Sequence, residues 1–188
     1  GLCDKVCDFC GRHEDNRIED DRPLEVYAAS NRDSDVLLSS QSGGVFTAVS
    51  DVVLSQGGVV YGAVMNDDFT VSHARADNAE ERDRMRGSKY VQSMLDGIFR
   101  SVLEDLVSGR TVLFTGTPCQ VAGLASFIPS RFHEKLILMD FICHGVPSPS
   151  VWKDYVSEMR KKGVLEKVCF RDKSCGGWKV HKETFRYA

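Results

Sequence analysis

Apolar positions change their spacing several times along the chain, and each change marks an element. Residues 1–22 are polar, charged and rich in cysteine, with little periodicity. They are read as the end of a small module plus a linker. From Leu24 to Ala29 apolar and polar residues alternate well enough for a strand. Residues 31–43 form a polar connection, and Ser42-Gly43-Gly44 opens a helix over Val45 to Ser55. Gly58 to Met65 reads as a strand. The turn Asn66-Asp67-Asp68 leads to a hairpin partner over Phe69 to Arg75.

Ala79 to Met85 is charged and predicted helical. Over Met94 to Val107, apolar Leu95, Ile98, Phe99, Val102, Leu103 and Leu106 form a helical stripe that Gly109 ends. Thr111 to Phe114 is a short buried strand, followed by a turn at Gly116-Thr117-Pro118 and a helix from Cys119 to Phe127. Leu136 to Ile142 is a second buried strand, and Pro147 and Pro149 open a helix from Ser150 to Lys162. Leu165 to Phe170 and Val180 to Tyr187 read as two strands around Gly176-Gly177. Strand–helix–strand alternation predicts an α/β fold: a mixed sheet with flanking helices and at least one parallel pair. The domain is drawn over 23–188, preceded by the module end and linker at 1–22. No internal repeat or low-complexity segment interrupts it.

Composition narrows the function classes without choosing one. The chain has 188 residues, 42% hydrophobic and 27% charged, as an ordinary globular domain does. A net charge of −3 argues against a nucleic-acid partner. No run approaches the ~18 apolar residues of a membrane span. The amino end carries no basic, apolar leader, so a cytoplasmic setting is expected. The start at Gly1 rather than Met leads us to expect a trimmed or partial chain.

The seven cysteines are placed where chemistry is plausible. In FTGTPCQ (114–120) and DFICHG (140–145) a buried strand runs into a turn carrying a cysteine. In open α/β sheets ligands sit beyond the carboxyl ends of the strands. If the two strands are parallel neighbours, Cys119 and Cys143 project into one crevice. The bland alternative is two buried small hydrophobes, the usual state of free cysteine. Gly116 and Gly145 would admit a cofactor close to the backbone, and the Thr117-Pro118 turn offers N–H groups at a helix start.

Two further segments suit phosphate. Ser39 to Gly44 is a hydroxyl- and glycine-rich entry to a helix, matching a pyrophosphate with N–H donors and a positive helix end. A helix cap with a flexible lead-in would look the same. Arg86 to Ser93 (RGSKYVQS) is basic and hydroxyl-bearing, and its alternative is a solvated turn. At the amino end, Cys3-x3-Cys7 matches the second half of the iron–sulfur run C-x2-C-x2-C-x3-C, with Asp8 where proline usually follows. Cys7-x2-Cys10-x2-His13 could instead be part of a zinc knuckle, and spare thiols are a third reading. No nucleophile–base pair stands out, so no catalytic residue is assigned.

Taken together, SSQSGGVFTA, GSKYVQS, FTGTPCQVAGL, DFICHGVPSPSVWKDY and FRDKSCGGWK resemble the beta subunits of coenzyme F420-reducing hydrogenases and dehydrogenases, over roughly residues 37–180. The resemblance implies FAD and a [4Fe-4S] cluster, often behind an amino-terminal ferredoxin-like module. It implies Cys119 and Cys143 as cluster ligands, with further ligands in a Cys-x2-Cys segment beyond Ala188. It makes Ser42, Gly43, Gly44, Ser88, Lys89, Tyr90, Gln92, Ser93, Gly116, Thr117 and Gln120, with His144 and Gly145, candidate cofactor contacts. Cys3 and Cys7 would belong to the truncated ferredoxin-like module. Cys10, Cys169 and Cys175 receive no role, although the last two could be substitute ligands.

The activity implied is that of a flavin-dependent oxidoreductase. It would pass electrons between iron–sulfur clusters and a two-electron carrier, such as the deazaflavin coenzyme F420 or an organic substrate. The implied partner is a redox subunit or ferredoxin. Two other classes stay open: a non-catalytic scaffold or partner subunit of the same fold, and a zinc-binding interaction module on Cys3, Cys7, Cys10 and His13.

Overall fold

A computed structural model of the chain describes residues 25–174, 177 and 182–188. Cys3, Cys7, Cys10, His13, Cys175 and Gly176 lie outside the described residues, and with them the readings placed on the amino-terminal cysteines.

Two long apolar runs become the centre of a sheet. In β1 (Val59–Met65) and β3 (Val112–Gly116), Val59, Val60, Tyr61, Val112, Leu113 and Phe114 have no exposed surface. Strands buried on both faces have no polar side to alternate with, which is why these segments read as continuous apolar stretches. Burying a side chain such as Phe114 contributes about 2–3 kcal/mol. The strand order is β2-β1-β3-β4, with β2 (Val71–Ala76) antiparallel to β1, and β3 and β4 (Leu136–Asp140) following in parallel.

Helices cover both faces. After α1 (Ser34–Ser39), α2 (Val45–Ser55) packs Val53 against Val60, Val64 and Leu113, with Met85 beyond α3 (Ala79–Asp83) in the same cluster. On the opposite face α4 (Ile98–Val107) and α5 (Pro118–Phe127) bring Val102, Leu106 and Leu124 onto Val59, Tyr61, Val112 and Phe114. The connections β1 to β3 and β3 to β4 step the same way across the sheet. That places α4 and α5 on one face, as crossovers of a single hand require. A third cluster joins the β1–β2 turn to α6 (Pro149–Arg160) and to the antiparallel pair β5 (Leu165–Cys169) and β6 (Thr184–Tyr187). Trp152 anchors it, donating its indole N–H to the Phe69 carbonyl at 2.7 Å.

This is the α/β architecture, with a mixed sheet and flanking helices, that the alternation predicts. Its boundaries differ where non-local contacts decide. Residues 25–30 alternate but form no strand, because no described strand pairs with them. The polar connection contains α1, capped by the Asp33 carboxylate, which accepts from the Asp35 and Val36 N–H groups. The helix expected from Met94 begins at Ile98: Gly97 takes a φ of 74°, and Met94 pairs with Ser72 instead. Phe69, at a φ of 70°, belongs to the turn, so β2 starts two residues later. β4 stops at Asp140, leaving Phe141 and Ile142 outside it. A 3-10 turn over Ser130–Lys135 was not expected.

Candidate functional site

β3 and β4 are in register to their last residues, with Gly116 opposite Asp140. Cys119 and Cys143 each lie three positions beyond that final pair. The two cysteine turns therefore leave the sheet side by side, at the strand ends where ligands of open α/β sheets bind.

The two turns are built differently. Beyond β3, Thr117 caps α5 in a capping box: its N–H donates to Gln120 Oε1 at 3.0 Å, and its hydroxyl serves the first turn. Pro118 at the helix start needs no N–H partner there. Cys119 is exposed, with its sulfur 3.2 Å from Thr117 Oγ1. Beyond β4, residues 141–148 have no regular structure, and Phe141, Ile142, His144 and Gly145 are exposed. Cys143 is half-buried and accepts from the Gly145 N–H at 3.4 Å. Gly145 has a φ of 105° and open space where a side chain would stand, so only glycine is at ease there.

A second cluster gathers at the start of α2. Gly43 must be glycine, because the Ala29 carbonyl oxygen occupies the place of a Cβ. Gly44 is the N-cap, in the left-handed region, and provides no side-chain cap. The first-turn N–H groups of α2 therefore have no capping side chain, the condition in which a helix start attracts anions. Arg86 crosses this turn: its Nε donates to Thr47 Oγ1 at 3.2 Å and an Nη to Ser39 Oγ at 3.4 Å, and Asp83 holds the other Nη at 2.8 Å. Gln41 gives its amide N–H to the Phe170 carbonyl, while its Oε1 is buried with no partner among the described residues.

The segment 88–93 lies between the two clusters in sequence and reaches the first. The Lys89 ammonium turns inward and donates to the carbonyls of Arg84, Met85, Arg86 and Gly87. Burial lowers it to about 8, so it stays protonated at neutral pH, as four acceptors require. Tyr90 stands edge-on to Phe170, half in solvent; Gln92 is exposed and Ser88 half-buried. Ser93 receives the Gln120 side-chain N–H on its carbonyl at 3.4 Å and faces His73 through its hydroxyl at 2.7 Å.

Of the residues singled out by sequence, Ser93, Thr117, Cys119 and Gln120 thus form one hydrogen-bonded run. Gly43 and Gly44 form another cluster with Ser39, Thr47 and Arg86, while Ser42 stands exposed beside them. Sequence reading named the Arg86 segment without assigning the guanidinium, and it missed His73 and Gln41. A lone histidine in a strand gives no local signal; its partners lie 20 and 42 residues away.

With this geometry established, comparison with known proteins becomes informative. Residues 109–185 match the family model for the C terminus of the Coenzyme F420 hydrogenase/dehydrogenase beta chain. That stretch belongs to the F420 hydrogenase/dehydrogenase beta-subunit family. It contains β3, α5, β4, the 141–148 segment and α6, and so both cysteine turns. Among solved structures, the chain is similar to one from the xenon-derivatized F420-reducing [NiFe] hydrogenase complex of Methanosarcina barkeri. The TM-score is 0.57 at 19% identity, with 80% of this chain and 56% of that chain covered. This chain thus spans little more than half of that structure's chain, and at that identity the likeness shows the fold alone. No curated protein matches. Among the described residues, no helix is long and apolar enough to cross a membrane.

Proposed function

We propose that this F420 hydrogenase/dehydrogenase beta-subunit relative is a flavin-dependent oxidoreductase. It passes electrons between iron–sulfur clusters and a two-electron carrier, such as coenzyme F420 or an organic substrate. The carrying observation is the register-matched pair β3 and β4, which delivers two cysteine turns to one sheet edge.

The described residues fit the phosphate end of FAD. An uncapped helix start lies under the Arg86 guanidinium, with the hydroxyls of Ser39, Ser42 and Thr47 nearby in the chain and the unpartnered Gln41 oxygen in the same loop. Ser42, Gly43, Gly44 and Arg86 would hold the pyrophosphate by N–H donation and charge. The segment 88–93, the Gly116-Thr117 turn and His144-Gly145 would border the ring system and keep water from it. Bound flavin supplies the exchange between two-electron and one-electron carriers.

The cluster fits only in part. Cys119 and Cys143 offer the thiolate chemistry an iron–sulfur centre needs, but four ligands are required. No group of three or more His, Cys, Asp or Glu residues among the described residues is placed to hold a metal. We therefore derive no step through the cluster and assign its completion to cysteines outside the described residues. A partner subunit or ferredoxin would exchange electrons at that end.

Titration with FAD, read by flavin fluorescence, tests the reading. Saturable quenching is expected, weakened about tenfold, or roughly 1.4 kcal/mol, by Arg86→Gln. Absence of saturable binding in the wild-type protein would refute it and return the scaffold reading.

A further inference from the structure

Among the described residues, His73 is the one imidazole buried in the core of the sheet, with 5% exposure. It sits on β2 opposite Ala63, and the small alanine side chain lets the ring reach across β1 to stack on Phe114 at 5.1 Å. Its Nε2 is 2.9 Å from the Thr115 carbonyl, which can only accept, so Nε2 carries the proton. In the neutral ring Nδ1 is then an acceptor, and the Ser93 hydroxyl donates to it at 2.7 Å. Burial and the nearby Lys89 charge both hold the ring below its ordinary value, which keeps it in that neutral form.

The two bonds join segments that are otherwise separate. Thr115 is the penultimate residue of β3, two positions before the Thr117 cap. Ser93 ends the 88–93 segment. Its neighbour Met94 is already laid along β2, donating to the Val71 carbonyl and accepting from the His73 N–H, each at 2.9 Å. From Ser93 the run continues through its carbonyl to the Gln120 amide, through Gln120 Oε1 to the Thr117 N–H, and from Thr117 Oγ1 to the Cys119 sulfur. The imidazole touches both ends of this run.

We propose that His73 is a positioning residue that clamps the 88–93 segment to the Thr117–Cys119 turn. It fixes the distance between two walls of the cofactor crevice from beneath. The clamp depends on the Nε2–H tautomer, which lets one ring serve a carbonyl and a hydroxyl at once. A phenylalanine would fill the same space against Phe114 but bond neither partner. This inference rests on the proposed function only in naming those segments as walls of a flavin site; the clamp itself is a property of the flavin-free protein.

The test is hydrogen exchange and nitrogen NMR on flavin-free protein, beside the FAD titration. The imidazole resonances should report Nε2–H at neutral pH. His73→Phe should speed exchange at least tenfold at the Ser93, Thr117 and Gln120 amides and leave the α4 amides unchanged. Ser93→Ala should reproduce the effect in part, and Ser93→Thr, which keeps the hydroxyl, should restore wild-type exchange. In FAD-loaded protein His73→Phe should also alter the absorption envelope of the bound flavin. An Nδ1–H tautomer, unchanged exchange, or equal acceleration throughout the core would overturn the clamp. If His73→Phe does not fold, the Ser93→Ala and Ser93→Thr pair decides it. A clamp that behaves as described in a protein that binds no FAD would sink the function and leave this inference standing.

Discussion

The exits of β3 and β4 look alike in sequence, each an apolar run ending in a turn with a cysteine, yet they are built to opposite standards. After β3 the polar groups of the turn are partnered: the Thr115 carbonyl holds His73, the Thr117 N–H holds Gln120, and α5 starts within two residues of the strand. Eight residues separate β4 from the start of α6, without regular structure and largely exposed. One wall of the crevice is thus made before any ligand arrives. The other has few bonds of its own and is the one whose order a bound group would complete. Pre-organisation on one side and adjustability on the other is a workable division for a site that must hold a large cofactor yet admit a partner.

Removing the aromatic ring beneath each exit should give the widest contrast. Phe114→Ala empties a core position stacked by His73 and Phe99, and should cost about 3–5 kcal/mol in urea unfolding. Phe141→Ala, at a ring 58% exposed, should stay within about 0.5 kcal/mol. Equal costs would mean that the second exit is packed after all.

Next in size is Lys89→Met. It deprives four carbonyls after α3 of their donor, and should cost about 1–3 kcal/mol while disordering the 86–90 stretch. The helix caps are finer probes. Thr117→Ala should cost about 1 kcal/mol, whereas Ser148→Ala, whose hydroxyl accepts at 3.5 Å from Val151, should cost roughly half that.

The smallest effect is a pH slope. Burial keeps His73 below its ordinary value of 6.5, so in moderately acidic solution the unfolded chain takes up a proton that the folded one refuses. The stability tied to this group is fully present above 6.5 and falls as pH drops below it. Lys89 is the charged group acting on the ring, alongside Ser93, Thr115 and Phe114 as neutral neighbours. The wild-type curve minus that of His73→Phe should show this slope, measured by thermal melting across the range. A flat difference would mean that His73 is charged in the fold.

Much of this architecture was legible because burial on both faces writes itself into sequence. β1 and β3 are unbroken apolar runs, and α2 and α4 carry one-sided stripes, so their existence and the α/β class followed. What was not legible depended on partners distant in the chain. Residues 25–29 have strand alternation but no described strand to pair with, while Met94 has helical periodicity and is drawn onto β2. The cysteine turns and the α2 entry were visible as strings. The Arg86 bridge and the His73 clamp were not, since their meaning lies in contacts 20 to 47 residues away.

The central claim is redox chemistry at the crevice between these two exits, and one measurement addresses it directly. It is the anaerobic visible spectrum of the full-length protein, with assays of iron and acid-labile sulfide. The account predicts flavin bands together with about four iron per cluster-binding site, and loss of the iron assigned to this site in Cys119→Ser and Cys143→Ser variants. A colourless, iron-free protein purified without exposure to air would contradict it.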